Sequence, residues 1–176
     1  MQISKPDLIP GSFLACREFR YMSEGVEYAD SLSFSTHKAV MSNCDCAPLW
    51  FRDGVAASKY FNMDAEYLIP EQKRTTRDNS HLQVGMGRRF RALKIYFVLR
   101  HLGAKYIKQA LREKVRLAAL FAELVTNDDD FELFVPQHLG LVCFRIRNGT
   151  HEEHAALCKA IEEDRQVYIL PAKVRI

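Results

Sequence analysis

The sequence predicts an α/β chain, and three patterns carry that reading. First, a short alternating apolar segment, with Leu32 and Phe34, runs into His37-Lys38; ligands of α/β sheets gather at the carboxyl ends of such strands. Second, Ile107, Leu111, Val115, Ala118, Ala122 and Val125 recur at steps of four, four, three, four and three, the apolar stripe of a helix. Third, two short strand patterns, at 131–135 and 141–147, precede a helix-start signature.

In chain order, residues 1–10 read as an unpaired leader. Residues 13–27, of mixed polarity, predict a short helix or loop, and 31–36 and 46–51 predict strands flanking the lysine turn. Residues 52–68 carry Gly54 and the small residues Ala56, Ala57 and Ser58, followed by an aromatic-rich stretch. Residues 69–80 are polar and contain Pro70, so they predict a surface loop. A helix is predicted over 88–101, with Gly103 interrupting it and the striped helix following until Asn127-Asp128-Asp129-Asp130. In 141–147, Val142, Phe144 and Ile146 alternate with Cys143, Arg145 and Arg147, which predicts one apolar and one polar face. Thr150-His151-Glu152-Glu153 is a capping-box pattern opening a helix to about Asp164. Residues 167–170 predict a last strand, stopped by Pro171.

The composition is that of an ordinary globular protein, 48% hydrophobic and 27% charged, and 176 residues suffice to bury a core. A formal net charge of +3 is too slight to imply nucleic acid. No run approaches the ~18 apolar residues of a membrane span, and Met1-Gln2-Ile3-Ser4-Lys5-Pro6 lacks the apolar core of a secretory signal. The expected location is therefore cytoplasmic, with neither nucleic acid nor membrane as partner.

Five cysteines without a disulfide framework fit reduced thiols. Cys44 and Cys46, two apart, predict small hydrophobes buried on one strand face, and no metal site is expected. Arg88, Arg89, Arg91 and Lys94, with Lys73, Arg74 and Arg77, form a basic concentration. It reads either as an anion patch or as a set of structural partners for carboxylates; the nearby acidic residues favour the second.

A lysine at a strand end can form a Schiff base with an aldehyde cofactor, and burial would make it more nucleophilic. The ordinary alternative for Lys38 is a solvated charge. The text downstream bears on that choice. Asn43-Cys44-Asp45-Cys46 leads into Leu49-Trp50-Phe51. Phe61-Asn62-Met63-Asp64-Ala65-Glu66-Tyr67-Leu68 follows, then Gly87-Arg88-Arg89-Phe90-Arg91-Ala92-Leu93-Lys94, and later His138-Leu139-Gly140-Leu141-Val142-Cys143-Phe144-Arg145. In this order and spacing the segments resemble the group II pyridoxal-phosphate-dependent decarboxylases, the family of aromatic-L-amino-acid (DOPA), tyrosine and histidine decarboxylases. The resemblance runs from about Gly11 to Pro171, and covers little more than a third of a full family member.

The resemblance implies a fold: part of the large domain of a PLP-dependent transferase of fold type I over 11–93, then a truncated α+β C-terminal domain over 94–176. It implies pyridoxal 5'-phosphate as cofactor, Lys38 as its Schiff-base lysine and His37 beside it. Tyr67, 29 residues after Lys38, corresponds to the family's mobile-loop tyrosine. A phenol keeps its proton at neutral pH and can deliver it to a carbanion; a core or surface tyrosine is the plain alternative. Ser35 stands where the family has an asparagine near the cofactor phosphate. Gly87 matches the DOPA-type members and leaves room for a bulky aromatic substrate.

The departures are specific. Thr36 replaces the family's proline and Ala39 its tryptophan, and Ser80 stands at an arginine position. The phosphate-binding turn, the ring-stacking histidine and the aspartate that pairs with the pyridine nitrogen are expected to lie before the matching segment. Two functions follow from the resemblance: a carboxy-lyase acting on aromatic L-amino acids, or a catalytically inactive truncated homologue. Either implies a homodimer or pairing with a full-length relative.

Overall fold

A computed structural model describes residues 4–5, 9–61 and 89–172. The chain divides into two compact units, Met1–Leu111 and Arg112–Ile176.

In the first unit, β1 (Ser4–Lys5), β2 (Ser31–Ser33) and β3 (Leu49–Phe51) form a sheet in the order β1-β2-β3. β1 runs parallel to β2, pairing Ser4 with Ser31, and β3 runs antiparallel, pairing Leu32 with Trp50. Ser4 and Lys5, within the predicted unpaired leader, are thus paired, contrary to the sequence expectation.

Residues 13–27 are neither α-helix nor plain loop; 3-10 segments run over Ile9–Ala15, Arg17–Ser23 and Val26–Tyr28. Phe13 packs edge-on against Phe19 at 5.7 Å. Any side chain at Gly11 would collide with the side chain of Phe34, so the backbone there closely approaches the residue that follows β2.

The predicted strand over 31–36 ends early. The chain turns at Ser35 into a single helical turn, α1 (Thr36–Ala39), and the second predicted strand begins only at Leu49. Hydrogen bonding explains both. Thr36 N–H donates to Cys46 O (3.0 Å) and Phe34 N–H to Pro48 O (3.4 Å), while Pro48 has no N–H to return to a ladder. Cys44 is exposed and Cys46 buried, so the two cysteines do not share a buried strand face. α2 (Gly54–Phe61) follows, its start capped by Asp53 Oδ1, which accepts from Ala56 N–H at 2.9 Å.

α3 (Arg91–Thr126) is interrupted at Gly103, whose φ of 74° and ψ of 159° lie where only glycine is comfortable. Its stripe is buried as the periodicity predicts. Ile107 and Leu111 belong to the first unit and Ala118, Ala122 and Val125 to the second, with Val115 half-buried. Cys16 Sγ–H donates to Lys108 O (3.7 Å), tying the 3-10 segments to α3 within the first unit.

In the second unit, β4 (Phe131–His138) and β5 (Leu141–Ile146) pair antiparallel through a tight turn with Leu139 at φ 51°. The register shifts between Val135 and His138, across Pro136, which cannot donate to the ladder. The predicted faces hold. Phe144 meets Phe121 (5.4 Å) and Phe131 (5.8 Å) edge-on, whereas Arg145 pairs with Glu132 (2.6 Å) and lies over the Phe134 ring. Arg147 fastens the aspartate run after α3 by donating to the carbonyls of Asp128, Asp129 and Phe131. α4 (His151–Asp164) opens on the predicted capping box: Thr150 Oγ1 accepts from Glu153 N–H and Glu153 Oε2 from Thr150 N–H. Residues 167–170 form no strand; Val167, Tyr168 and Leu170 are exposed, and among the described residues no strand pairs with them.

Candidate functional site: the Lys38 turn

The sequence placed Lys38 at a strand end. It lies instead on the one-turn helix α1, and the burial that would have raised its nucleophilicity is not found: Lys38 is exposed. Several residues around it are buried. Ser35 and Thr36 are buried, Ser35 O accepts from Ser12 Oγ (3.4 Å), and Ala39 is packed beneath the turn.

Cys46 organises the turn. Its carbonyl accepts from Thr36 N–H and from Thr36 Oγ1 (3.0 Å), and Ser42 Oγ donates in turn to Thr36 Oγ1 (3.0 Å). The His37 ring meets the same residue: Nδ1 lies 3.0 Å from Cys46 O and 3.1 Å from Cys46 N.

The tautomer follows from the donor count. Cys46 O already holds two donors from Thr36, and Cys46, 3% exposed, has its N–H aimed at Nδ1. Placing the proton on Nδ1 would leave that buried N–H without an acceptor, so Nδ1 accepts and Nε2 carries the proton of the neutral ring. His37 therefore presents a defined N–H donor, its orientation fixed by backbone rather than by another side chain.

The loop that delivers Cys46 is held from α3. Asp45 Oδ2 accepts from Arg91 Nε (3.0 Å) and Nη2 (2.8 Å), and Cys46 Sγ–H donates to Arg91 O (3.7 Å). Lys94 Nζ donates to the carbonyls of Asn43 (3.2 Å), Cys44 (3.1 Å) and Asp45 (3.2 Å). The Arg91 guanidinium, followed by a backbone hydrogen bond, holds the Asp45 carboxyl below the usual carboxylate range. The sequence reading assigned this basic segment to structural pairing with carboxylates, and Arg91–Asp45 is such a pair. Asp45 and Cys46 join the site only in three dimensions; in the sequence they belong to the Asn43-Cys44-Asp45-Cys46 segment of the family resemblance, seven and eight residues beyond the lysine.

Tyr67 and Gly87 lie outside the described residues. Away from the turn, Asp30, Phe51, Arg52, Asp53, Ala56, Ala57, Tyr60 and Phe61 line an open depression of about 480 Å³, which includes neither His37 nor Lys38. Among the described residues no three His, Cys, Asp or Glu side chains could hold a metal ion, and no helix is long and apolar enough to cross a membrane.

A β2–turn–β3 element bearing an exposed lysine, followed by a long broken helix and an α+β unit, is the α/β architecture of fold type I PLP-dependent decarboxylases, here in part. The pyridoxal-dependent decarboxylase conserved domain matches residues 9–147, and the chain belongs to that family. It is 39% identical to the aromatic-L-amino-acid decarboxylase of Drosophila lebanonensis over 165 residues, 94% of this chain and 41% of that protein. It is 41% identical to the histidine decarboxylase of Drosophila melanogaster over 165 residues, covering 94% of this chain and 19% of the other. The solved structure of Oryza sativa TDC with PLP and tryptamine superposes with a TM-score of 0.87 at 34% identity, over 98% of this chain and 37% of that one. The chain thus spans about two-fifths or less of the length of these relatives.

Proposed function

We infer that this chain is the lysine-bearing part of a PLP-dependent carboxy-lyase acting on aromatic L-amino acids. The observation that carries the reading is the Lys38 turn in a chain of this family: an accessible primary amine beside a histidine whose tautomer and orientation are fixed. The relatives support the substrate class, since one is an aromatic-L-amino-acid decarboxylase and another was solved with tryptamine. The large-domain portion over 11–93 and the small-domain portion over 94–176, a cytoplasmic location and a homodimer belong to the same reading.

The donor set at the turn fits the aldehyde end of pyridoxal phosphate: Lys38 Nζ is the amine that would hold it, with His37 alongside and Ser35 as the hydroxyl assigned to its phosphate. When bound, the cofactor supplies an electron sink for the pair released as carbon dioxide leaves. The chain's own contributions are different. Lys38 tethers, Cys46 keeps the His37 ring in one tautomer, and Tyr67 gives the proton that the α-carbon needs. By resemblance to the DOPA-type members, Gly87, lacking a side chain, suits a bulky aromatic substrate.

A second reading is favoured by the apolar side chains exposed along α3, Tyr96 and Phe97 in the first unit and Leu117, Leu120 and Leu124 in the second. It is a non-catalytic homologue that pairs with a copy of itself or a full-length relative.

The experiment is reductive trapping. Pyridoxal phosphate is added, borohydride fixes any imine, and mass spectrometry locates the pyridoxyl group. The expected result is modification at Lys38, lost in Lys38→Ala. An adduct confined to other lysines sinks the lysine assignment. Trapping at Lys38 without amine formation from DOPA, 5-hydroxytryptophan or tyrosine selects the non-catalytic reading.

A further inference from the structure

We propose that Arg91 and Lys94, at the start of α3, are positioning residues for the Lys38 turn, acting through the loop 43–46 on the His37 ring. The proposal rests on the reading of Lys38 and His37 given above and assigns them a support that no residue of their own segment supplies.

Its basis is a continuous set of contacts. Lys94 Nζ collects three successive carbonyls, Asn43, Cys44 and Asp45, which otherwise point their lone pairs together. An ammonium, with three donors and no acceptor, is suited to that task. Arg91 grips the Asp45 carboxylate with two N–H groups and offers its own carbonyl to Cys46 Sγ. The four-residue loop is thereby fixed from one side by two cations 46 to 51 residues away in sequence.

The next residue contact in this set is the functional one. Cys46 uses its carbonyl to hold Thr36 and its N–H to hold His37 Nδ1, so any displacement of the loop displaces both. Moving Cys46 N–H out of reach would free Nδ1 to exchange its role with Nε2, and the ring would no longer present one defined donor. Neither cation needs to touch substrate or cofactor for this to matter. The bidentate grip also makes Arg91 irreplaceable by lysine, which brings charge without the fork.

The test reads the His37 ring directly. In the unliganded wild-type chain, at a pH where its ring is neutral, nitrogen-15 spectra should show His37 as one tautomer, with Nδ1 unprotonated and Nε2 protonated; His37→Gln assigns the signals among the six histidines. Asp45→Asn is the primary variant, because the Asp45 side chain is 60% exposed and its replacement leaves the core intact. Arg91→Lys and Lys94→Met are the companions, with circular dichroism establishing that each is folded. In Asp45→Asn and Lys94→Met the two His37 resonances should move toward each other as tautomers exchange. Arg91→Lys should resemble Asp45→Asn rather than wild type. Pyridoxyl trapping at Lys38 should fall by roughly tenfold, the sensitivity expected of a reacting group displaced by a fraction of an ångström.

Unaltered His37 resonances in folded Asp45→Asn and Lys94→Met would overturn the proposal. A wild-type chain that traps no cofactor at Lys38, yet loses its single tautomer in the variants, would overturn the functional reading and leave the positioning contact standing. The two failures are therefore separable.

Discussion

The Lys38 turn and the β4–β5 hairpin are held by opposite means. In the turn, the decisive bonds are a few polar contacts: Cys46 to His37 and Thr36, nine and ten residues away, Arg91 to Asp45, 46 residues away, and Lys94 to three carbonyls 49 to 51 residues away. The backbone between them is irregular and depends on individual polar atoms. In the hairpin and α4, register does the work. Alternate side chains pack on one face, Phe144 edge-on to Phe121 and Phe131, and a reciprocal cap spanning residues 150–153 starts the helix. Regular elements distribute their stability over many similar contacts. A turn of irregular backbone concentrates it in a few.

That contrast can be broken first through the apolar support of the lysine-bearing unit. Leu111 is fully buried at 0% exposure, the last buried stripe residue of α3 within that unit. Leu111→Ala removes three heavy atoms from a packed site and should cost roughly 2–5 kcal/mol. Urea unfolding provides the measurement. A midpoint within error of wild type would mean that α3 contributes little to the first unit and that the polar network stands alone.

A smaller effect sharpens the comparison within the turn itself. Thr36→Val keeps shape but deletes the hydroxyl that donates to Cys46 O and accepts from Ser42 Oγ. Ser42 is buried, so its hydroxyl loses its acceptor there, and a destabilisation of about 1–3 kcal/mol should follow. Amide hydrogen exchange should localise the loss to 36–46 and leave β4 and β5 protected. Uniform loss across both units would show that the turn is not an independent polar structure.

The matching change in the second unit is Thr150→Ala. It removes one half of the capping box of α4, and should cost about 1 kcal/mol. Exchange should quicken in the first turn of α4 while the Lys38 turn remains as protected as in wild type.

The same contrast governs what the sequence discloses. The Ile107–Val125 stripe, the faces of β5, the break at Gly103 and the cap at Thr150 each follow a local period or a short motif, and each is present. The strands over 31–36 and 46–51 were overdrawn because their ends are set by bonds to Cys46 and Pro48, which no period announces. Residues 167–170 have strand-forming side chains but no partner strand among the described residues, and propensity without pairing is insufficient. Lys38, His37 and Ser35 were legible as candidates through family resemblance, whereas the exposure of Lys38, the ring partner of His37 and the Asp45–Arg91–Lys94 grip come only from three-dimensional proximity.

The smallest expected effect compares the two regions by acid. Asp45 and Glu153 both have carboxyls held below their ordinary range, Asp45 chiefly by the Arg91 guanidinium and Glu153 chiefly by the Thr150 N–H and then its hydroxyl. A depressed folded value means that the unfolded chain binds the proton more readily. Each carboxylate therefore contributes stability that is fully present above the unfolded value and drains away as pH falls through the folded one. Both groups are solvent-exposed, so the contributions are small and, for the Asp45 ion pair, weakened by salt. Glu153→Gln retains an acceptor for the cap but cannot titrate, and Asp45→Asn likewise removes only the charge. Chemical denaturation from neutral pH down into the carboxylate range should give a shallower acid decline in each variant. Added salt should flatten the wild-type decline attributable to Asp45 more than that attributable to Glu153, whose partner is a backbone amide rather than a cation. The two variants share no partner, so their effects should add in the double variant. An acid decline unchanged by Glu153→Gln would show that the cap is held by Thr150 alone, and a salt effect equal in both would remove the distinction between charge-held turn and register-held helix.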